Sequence, residues 1–247
     1  MYMIISPAKQ MRTDTDTLPP RDLPAFLPEA ERLLGALRAL TPGERKALWR
    51  CSDAIAARNE ERLGDMDLHR GLTPAILSYE GIQYQYMAPG VFETGQYAYL
   101  QRHLRILSGL YGILRPFDGV TPYRLEMQAR LAADGHRDLY DFWGDKLARS
   151  LDGAGGLVIN LASREYSRAV EPHLGPGVRF LTCVFGERQG DKIVEKGTLC
   201  KMARGEMVRW MAEHEVKQAD ALKEFCRLGY RFSAQDSGAD RYVFLKG

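Results

Sequence analysis

The order of apolar and polar positions divides the chain into short segments of two different periods. An apolar run from Tyr2 to Ser6 reads as a buried first strand, and Pro7 ends it. Residues 10–23 carry no period and read as an irregular loop. From residue 24 to 40, Phe26, Leu27, Ala30, Leu33, Leu34, Leu37 and Leu40 recur at helical spacing. Thr41-Pro42-Gly43-Glu44 then supplies a capping hydroxyl, a proline at the first helical position and a glutamate three residues after the cap. A second helix therefore starts there and stops near Cys51, and Ser52 opens a third that runs to about Leu63. Ala75 to Tyr79, between Pro74 and Gly81, reads as a strand, and Thr94 caps a short helix after an aromatic-rich segment. The densest apolar text is His103 to Met127. It holds Ile106, Leu107, Leu110, Ile113 and Leu114 around a Gly109-Leu110-Tyr111-Gly112 hairpin signal, a stop at Arg115-Pro116, and a second extended run ending at Met127. Asp138 to Leu151 predicts a helix, Leu157 to Leu161 a strand buried on both faces, and Ser163 a helix start. Val178–Phe185 and Lys192–Glu195 pair as a hairpin about Gly190.

The segment Leu199 to His214 predicts the most informative helix. Leu199, Ala203, Met207, Trp210, Met211 and His214 share one face; Lys201, Arg204, Gly205 and Arg209 fall on the other. A glycine inside a helix costs about 0.8–1 kcal/mol against alanine, so one on the basic face predicts a close neighbour: DNA, a phosphate or another helix. A short helix and two strands, Tyr230–Ser233 and Tyr242–Leu245, finish the chain. With no linker, repeat or low-complexity tract, the pattern predicts one α+β domain over residues 1–247, with central β-sheet elements surrounded by helices.

Composition narrows the function classes. There are 34 basic and 32 acidic residues, net +2, so affinity for a polyanion has to come from local clustering. No apolar run approaches the ~18 residues of a membrane span, and the N-terminus lacks the charged region and cleavage site of a signal peptide, which predicts a cytoplasmic protein with no membrane partner. Cys51, Cys183, Cys200 and Cys226 have no metal-ligand spacing, so reduced thiols and no structural metal or cofactor are expected. Glycine-rich nucleotide loops, the serine-hydrolase elbow and the zinc-protease motif are absent from the sequence.

What remains is a set of cations and a corner of polar groups. Lys9 follows the first strand, and strand ends of open sheets are where ligands bind. Arg105, Arg115 and Arg124 punctuate the central apolar stretch. Arg124 and Glu126 are two residues apart and would share one side of a strand. Asn160, Ser163, Glu165 and Tyr166 gather where a central strand meets a helix N-terminus, an anion-binding arrangement. One reading is a DNA-binding surface of Lys9, Arg105, Arg115, Arg124, Lys201, Arg204 and Arg209. The rival is an enzyme acting on a phosphorylated or nucleotide-like molecule, in a pocket of Lys9, Arg124, Glu126, Asn160, Ser163, Glu165 and Lys201.

Several unusual strings fall in an order that resembles one family. They are Ser6-Pro7-Ala8-Lys9, HLRILSGLYGILRPFD at residues 103–118 with PYRLEM at 122–127, Tyr140-Asp141-Phe142-Trp143-Gly144-Asp145, Val158 to Ser163 with Glu165-Tyr166, and KMARGEMVR at 201–209. They resemble the YaaA family, linked to peroxide stress, and the likeness extends to Gly229-Tyr230-Arg231-Phe232. The resemblance implies a single-domain, cytoplasmic bacterial protein of unusual α+β fold, and a monomer is expected. It also implies binding to duplex or structured DNA through a helix-hairpin-helix-like element, and a role in oxidative-stress defence. In this sequence the candidates for that element are residues 42–63, which lack the usual Gly-hydrophobic-Gly turn, and Gly109-x-x-Gly112.

Overall fold

The computed structural model describes residues 1–247, apart from the side chain of Ala154. Its centre is a sheet of eight strands: β1 (Tyr2–Ile5), β2 (Leu104–Ser108), β3 (Gly112–Leu114), β4 (Leu157–Leu161), β5 (Arg179–Gln189), β6 (Lys192–Val194), β7 (Tyr230–Phe232) and β8 (Arg241–Lys246). The order is β7-β8-β5-β4-β1-β2-β3, with β6 hairpinned onto the far end of β5. The pairs β8–β5, β5–β4, β4–β1 and β1–β2 are parallel, whereas β7, β3 and β6 are antiparallel additions. The expected α+β mixture is thus corrected to an α/β one, with a mostly parallel centre wrapped by helices. Parallel strands need crossovers, and the long connections between β1 and β2 and between β5 and β8 carry the helices that cover the sheet. Met3, Ile4 and Ile5 on β1 and Val158, Ile159 and Leu161 on β4 are fully buried, as strands covered on both faces require.

Local chemistry explains most elements. Helix α1 spans Leu27–Ala39, α2 Pro42–Trp49 and α3 Asp53–Asp65. The capping box forms as read: Thr41 Oγ1 accepts from Glu44 N, and Glu44 Oε2 accepts from Thr41 N at 2.7 Å. Arg45 is not a surface cation. It is buried, with Nε and Nη2 donating to the two carboxylate oxygens of Glu60 at 2.7 and 2.6 Å, and this fork ties α2 to α3.

Three expectations are overturned. Ala75–Ser78 is one turn of helix between two-residue bridges, not a strand. The predicted helix from Asp138 breaks after α6 (Leu139–Trp143) because Gly144 turns to φ 48°. Residues 123–127 form no strand. They run irregularly over the hairpin turn, where a Cβ on Gly109 would meet Leu125 O at 2.3 Å. Ser108 to Leu114 are all buried, so Gly109-x-x-Gly112 is a core turn and presents no amides to a phosphate.

Helix α4 spans Ile82–Met87, α5 Thr94–His103, α7 Arg164–Ser167 and α8 Gly197–Glu213. The glycine on the basic face of α8 is explained by a helix. A Cβ on Gly205 would lie 2.1 Å from Gln83 O and 3.0 Å from Met87 N, so α4 packs backbone to backbone on α8. That contact fixes one wall of the cavity described next.

Candidate functional site

Ser6 follows β1 and Ser163 follows β4, two adjacent parallel strands. The chain leaves β1 toward β2 on one side, and leaves β4 toward β5 on the other. This reversal of crossover direction opens a crevice at the strands' carboxyl ends, the place where open α/β sheets bind ligands. Ser163 N donates to Ser6 Oγ at 2.8 Å, and Ser6 Oγ lies 3.2 Å from Ser163 Oγ, which pins the two strand ends together. A cavity of about 470 Å³ sits over this point. That is within the ~300–1,000 Å³ range of small-molecule pockets.

Five separated segments build its walls: residues 6–10, 80–85, 123–126, 163–166 and the α8 residues Lys201 and Arg204. The first is held by Tyr84, whose hydroxyl donates to Ser6 O at 3.0 Å, and by Gln10–Met11 pairing with Tyr79–Glu80. The third is held by Trp49 Nε1 donating to Arg124 O at 2.7 Å and by the Tyr123 hydroxyl. That hydroxyl lies 2.9 Å from the Tyr79 hydroxyl and 2.6 Å from Ser108 Oγ. Burial pushes the Tyr123 phenol up to about 12 and those of Tyr84 and Tyr166 well above the usual range, so all three stay neutral.

The cavity is charged. Lys9 Nζ lies 3.2 Å and Arg124 Nη2 2.7 Å from the same oxygen, Glu126 Oε1. These are charge contacts without hydrogen-bond alignment, since Oε1 is buried and accepts no hydrogen bond among the described residues. Buried Arg124 Nε, Arg204 Nε and Gln83 Nε2 also have no partner among the described residues. Each such donor costs about 1–3 kcal/mol when left unmade. Glu165 accepts from Gln128 N at 3.3 Å; burial, then the nearby Glu126 charge, raise its carboxyl above the ordinary value against the opposing pull of that N–H and of Lys9. Lys201 is exposed at the rim. Converging cations and unpaired N–H donors can hold an anion, and a carboxyl that protonates more readily than usual can pass a proton beside it.

Of the residues singled out in the sequence, Lys9, Arg124, Glu126, Ser163, Glu165, Tyr166, Lys201 and Arg204 come together here. Asn160 stands behind the wall: its Nδ2 donates to Thr182 Oγ1 and its Oδ1 accepts from Ala162 N, shaping the turn into Ser163. Arg105, Arg115 and Arg209 lie elsewhere. Arg105 stacks over the Tyr2 ring, Arg115 pairs with Asp118 and Asp22, and Arg209 pairs with Glu213. Sequence reasoning missed Ser6, Gln83 and Tyr84. The strand-end argument that found Lys9 reaches Ser6 equally. Gln83 has no local signal, since it sits in an aromatic segment that reads as core. Among the described residues no cluster of three metal-ligating side chains occurs, and no helix is long and apolar enough to cross a membrane.

Comparison with known proteins is consistent along the whole length. A family model described as peroxide stress protein YaaA matches residues 1–236. A UPF0246 protein of Lachnoclostridium phytofermentans is 51% identical over 247 residues, covering 100% of this chain and 97% of its own. UPF0246 proteins of Agathobacter rectalis and Pediococcus pentosaceus are each 50% identical, over 244 and 246 residues and 98% of their own lengths. With the family model and these near full-length relatives in agreement, the chain belongs to the peroxide stress protein YaaA family.

Proposed function

We propose that this protein binds and acts on a small phosphate-bearing or nucleotide-like molecule in the cavity at the β1/β4 crevice, within a family named for peroxide stress. The observation that carries the reading is the set of buried donors without partners, Arg124 Nε, Arg204 Nε and Gln83 Nε2, around a cavity rimmed by Lys9 and Lys201. An anionic ligand satisfies those donors; a surface for duplex DNA has no need of buried ones. Glu165, with its raised carboxyl, is the proton carrier of this site. The test is thermal-shift screening with inorganic phosphate and nucleotides on the wild type and on Lys201→Glu. Ligand-dependent stabilisation that the rim variant loses supports the reading; no stabilisation by any phosphate compound refutes it.

A second reading, binding of duplex or structured DNA with weak sequence preference, draws support from α2 and α3. These two helices are locked by the Arg45–Glu60 fork and joined by the three residues 50–52, with Arg50 in a left-handed turn. Arg50 and Arg58 are exposed there. This pair is our proposed helix-hairpin-helix-like element, with its phosphate contacts made by side chains. Fluorescence anisotropy on a labelled duplex tests it. Arg50→Glu with Arg58→Glu should weaken binding to all sequences alike and flatten the salt dependence by about 0.9 in log–log slope per lost phosphate contact. Unchanged affinity in that variant would remove the helix pair from the interface.

A further inference from the structure

Two cations of the pocket, on segments more than a hundred residues apart in sequence, lie close to one carboxylate oxygen. Lys9 Nζ is 3.2 Å and Arg124 Nη2 2.7 Å from Glu126 Oε1. An ordinary structural ion pair aligns N–H bonds on the oxygen lone pairs, and here it does not: among the described residues Oε1 makes no hydrogen bond and Arg124 Nε is left over. The Glu126 side chain is mostly buried in this position, while Lys9, its partner, is largely exposed. The arrangement therefore has the charge of a complete site and the geometry of an incomplete one. We infer that Glu126 is an internal stand-in for the ligand's anionic group, occupying the Lys9–Arg124 subsite until a phosphoryl group displaces it. The inference rests on the small-ligand reading above.

The chemistry of the displacing group follows. A guanidinium presents two parallel N–H bonds, and Arg124 now offers only Nη2 to Glu126 while Nε stays unpaired. A tetrahedral, doubly charged phosphoryl group has oxygens to take both, with a third for Lys9, and it brings more charge than the carboxylate it replaces. A singly charged planar carboxylate has no such advantage over Glu126. Selection for a terminal phosphoryl group over a carboxylate is then set by competition with Glu126. The displaced glutamate has room outward past Gln128, toward a second cavity that Glu126 also lines.

The experiment measures binding of inorganic phosphate by isothermal titration calorimetry to the wild type, Glu126→Gln, Lys9→Met and the double variant. Glu126→Gln is isosteric, and Lys9 is exposed, so thermal unfolding should show both folded. Glu126→Gln should bind phosphate about ten- to a hundredfold more tightly, the worth of one charge-assisted contact no longer contested. It should also begin to bind acetate. In the Lys9→Met background the gain should shrink, because part of the competition is for Lys9. Phosphate binding by the wild type that is equal or weaker in Glu126→Gln overturns the stand-in role and leaves the pocket reading intact. Phosphate binding by none of the four overturns both. If Glu126→Gln fails to fold, an unchanged wild-type phosphate affinity in Lys9→Met likewise refutes the shared subsite.

Discussion

Adding one methyl group to Gly205 should destabilise this protein, although alanine is the better helix former. The new Cβ would lie 2.1 Å from Gln83 O and 3.1 Å from Gln83 C, and both are backbone atoms of α4 that no rotamer change can move aside. To reach even a tight 3.0 Å contact, α4 and α8 have to part by about 1 Å. Overpacking of this kind costs about 1–3 kcal/mol, and here backbone meets backbone, so the upper half of that range applies. The gain in helix propensity returns about 0.8–1 kcal/mol. The balance is a loss of about 1–2 kcal/mol, which for a chain of this size lowers the melting temperature by about 2–8 °C. Gly35, exposed in α1 with nothing within 4 Å of its Cβ position, is the control. Gly35→Ala should gain the full propensity term and rise by about 2–4 °C. The assay is thermal unfolding followed by circular dichroism, with phosphate-induced shifts measured alongside. Because α4 carries Gln83 and Tyr84 into the cavity wall, Gly205→Ala should also weaken ligand stabilisation, whereas Gly35→Ala should leave it unchanged. A Gly205→Ala protein as stable as wild type would refute the backbone contact and the cavity wall built on it.

Three further outcomes can be checked directly. Glu165→Gln tests the raised carboxyl: because the folded protein holds that proton more tightly than the unfolded chain, its contribution is full at low pH and is lost as pH rises through the folded titration. The melting temperature of Glu165→Gln should therefore gain on wild type as pH increases; a pH-independent gap refutes the burial argument. Tyr123→Phe removes the hydroxyl between Tyr79 and Ser108 and should cost about 1–3 kcal/mol in urea unfolding, more than Tyr79→Phe at the end of the same chain. In a native thiol titration Cys226 should react first, while Cys183, buried and pushed up to about 12, should react only on unfolding; rapid alkylation of Cys183 would contradict its place in the core.

How far the sequence could be read depended on whether a signal was local. The apolar runs of β1, β4 and β5, the Gly109 to Gly112 turn and the Thr41–Glu44 capping box depend on residues within a few positions, and each was read correctly. Ala75–Ser78 was not, because four apolar residues fit a buried turn of helix as well as a strand. The break at Gly144 was missed because periodicity averages over a single left-handed residue. Parallel pairing of β1 with strands a hundred and more residues away leaves no local mark, so the sheet's class was misread. The site followed the same rule. Strand-end and helix-start logic reached Lys9, Ser163 and Glu165, and the i, i+2 spacing paired Arg124 with Glu126, though across an irregular segment and not a strand. Arg105 and Arg115 show the limit for basic residues, because the ring of Tyr2 and the carboxylate of Asp22 that hold them are brought there only by the tertiary fold.

The position of β1 has a consequence during synthesis. Its two neighbours are Leu104–Ser108 and Leu157–Leu161, so Tyr2–Ile5 leaves the ribosome with no partner on either edge. At about 5–20 residues per second, the second neighbour follows roughly 8–30 s later. Both edges stay bare until Leu104–Ser108 emerges and one stays bare until Leu157–Leu161 does, so the apolar strand is meanwhile a target for chaperones and for self-association. Pro7 and Lys9, just behind it, travel with that strand, and their stiffness and charge are its nearest protection on the nascent chain. The Ser6–Ser163 bond closes only when this wait ends, so a competent cavity is also the mark of a chain that escaped aggregation.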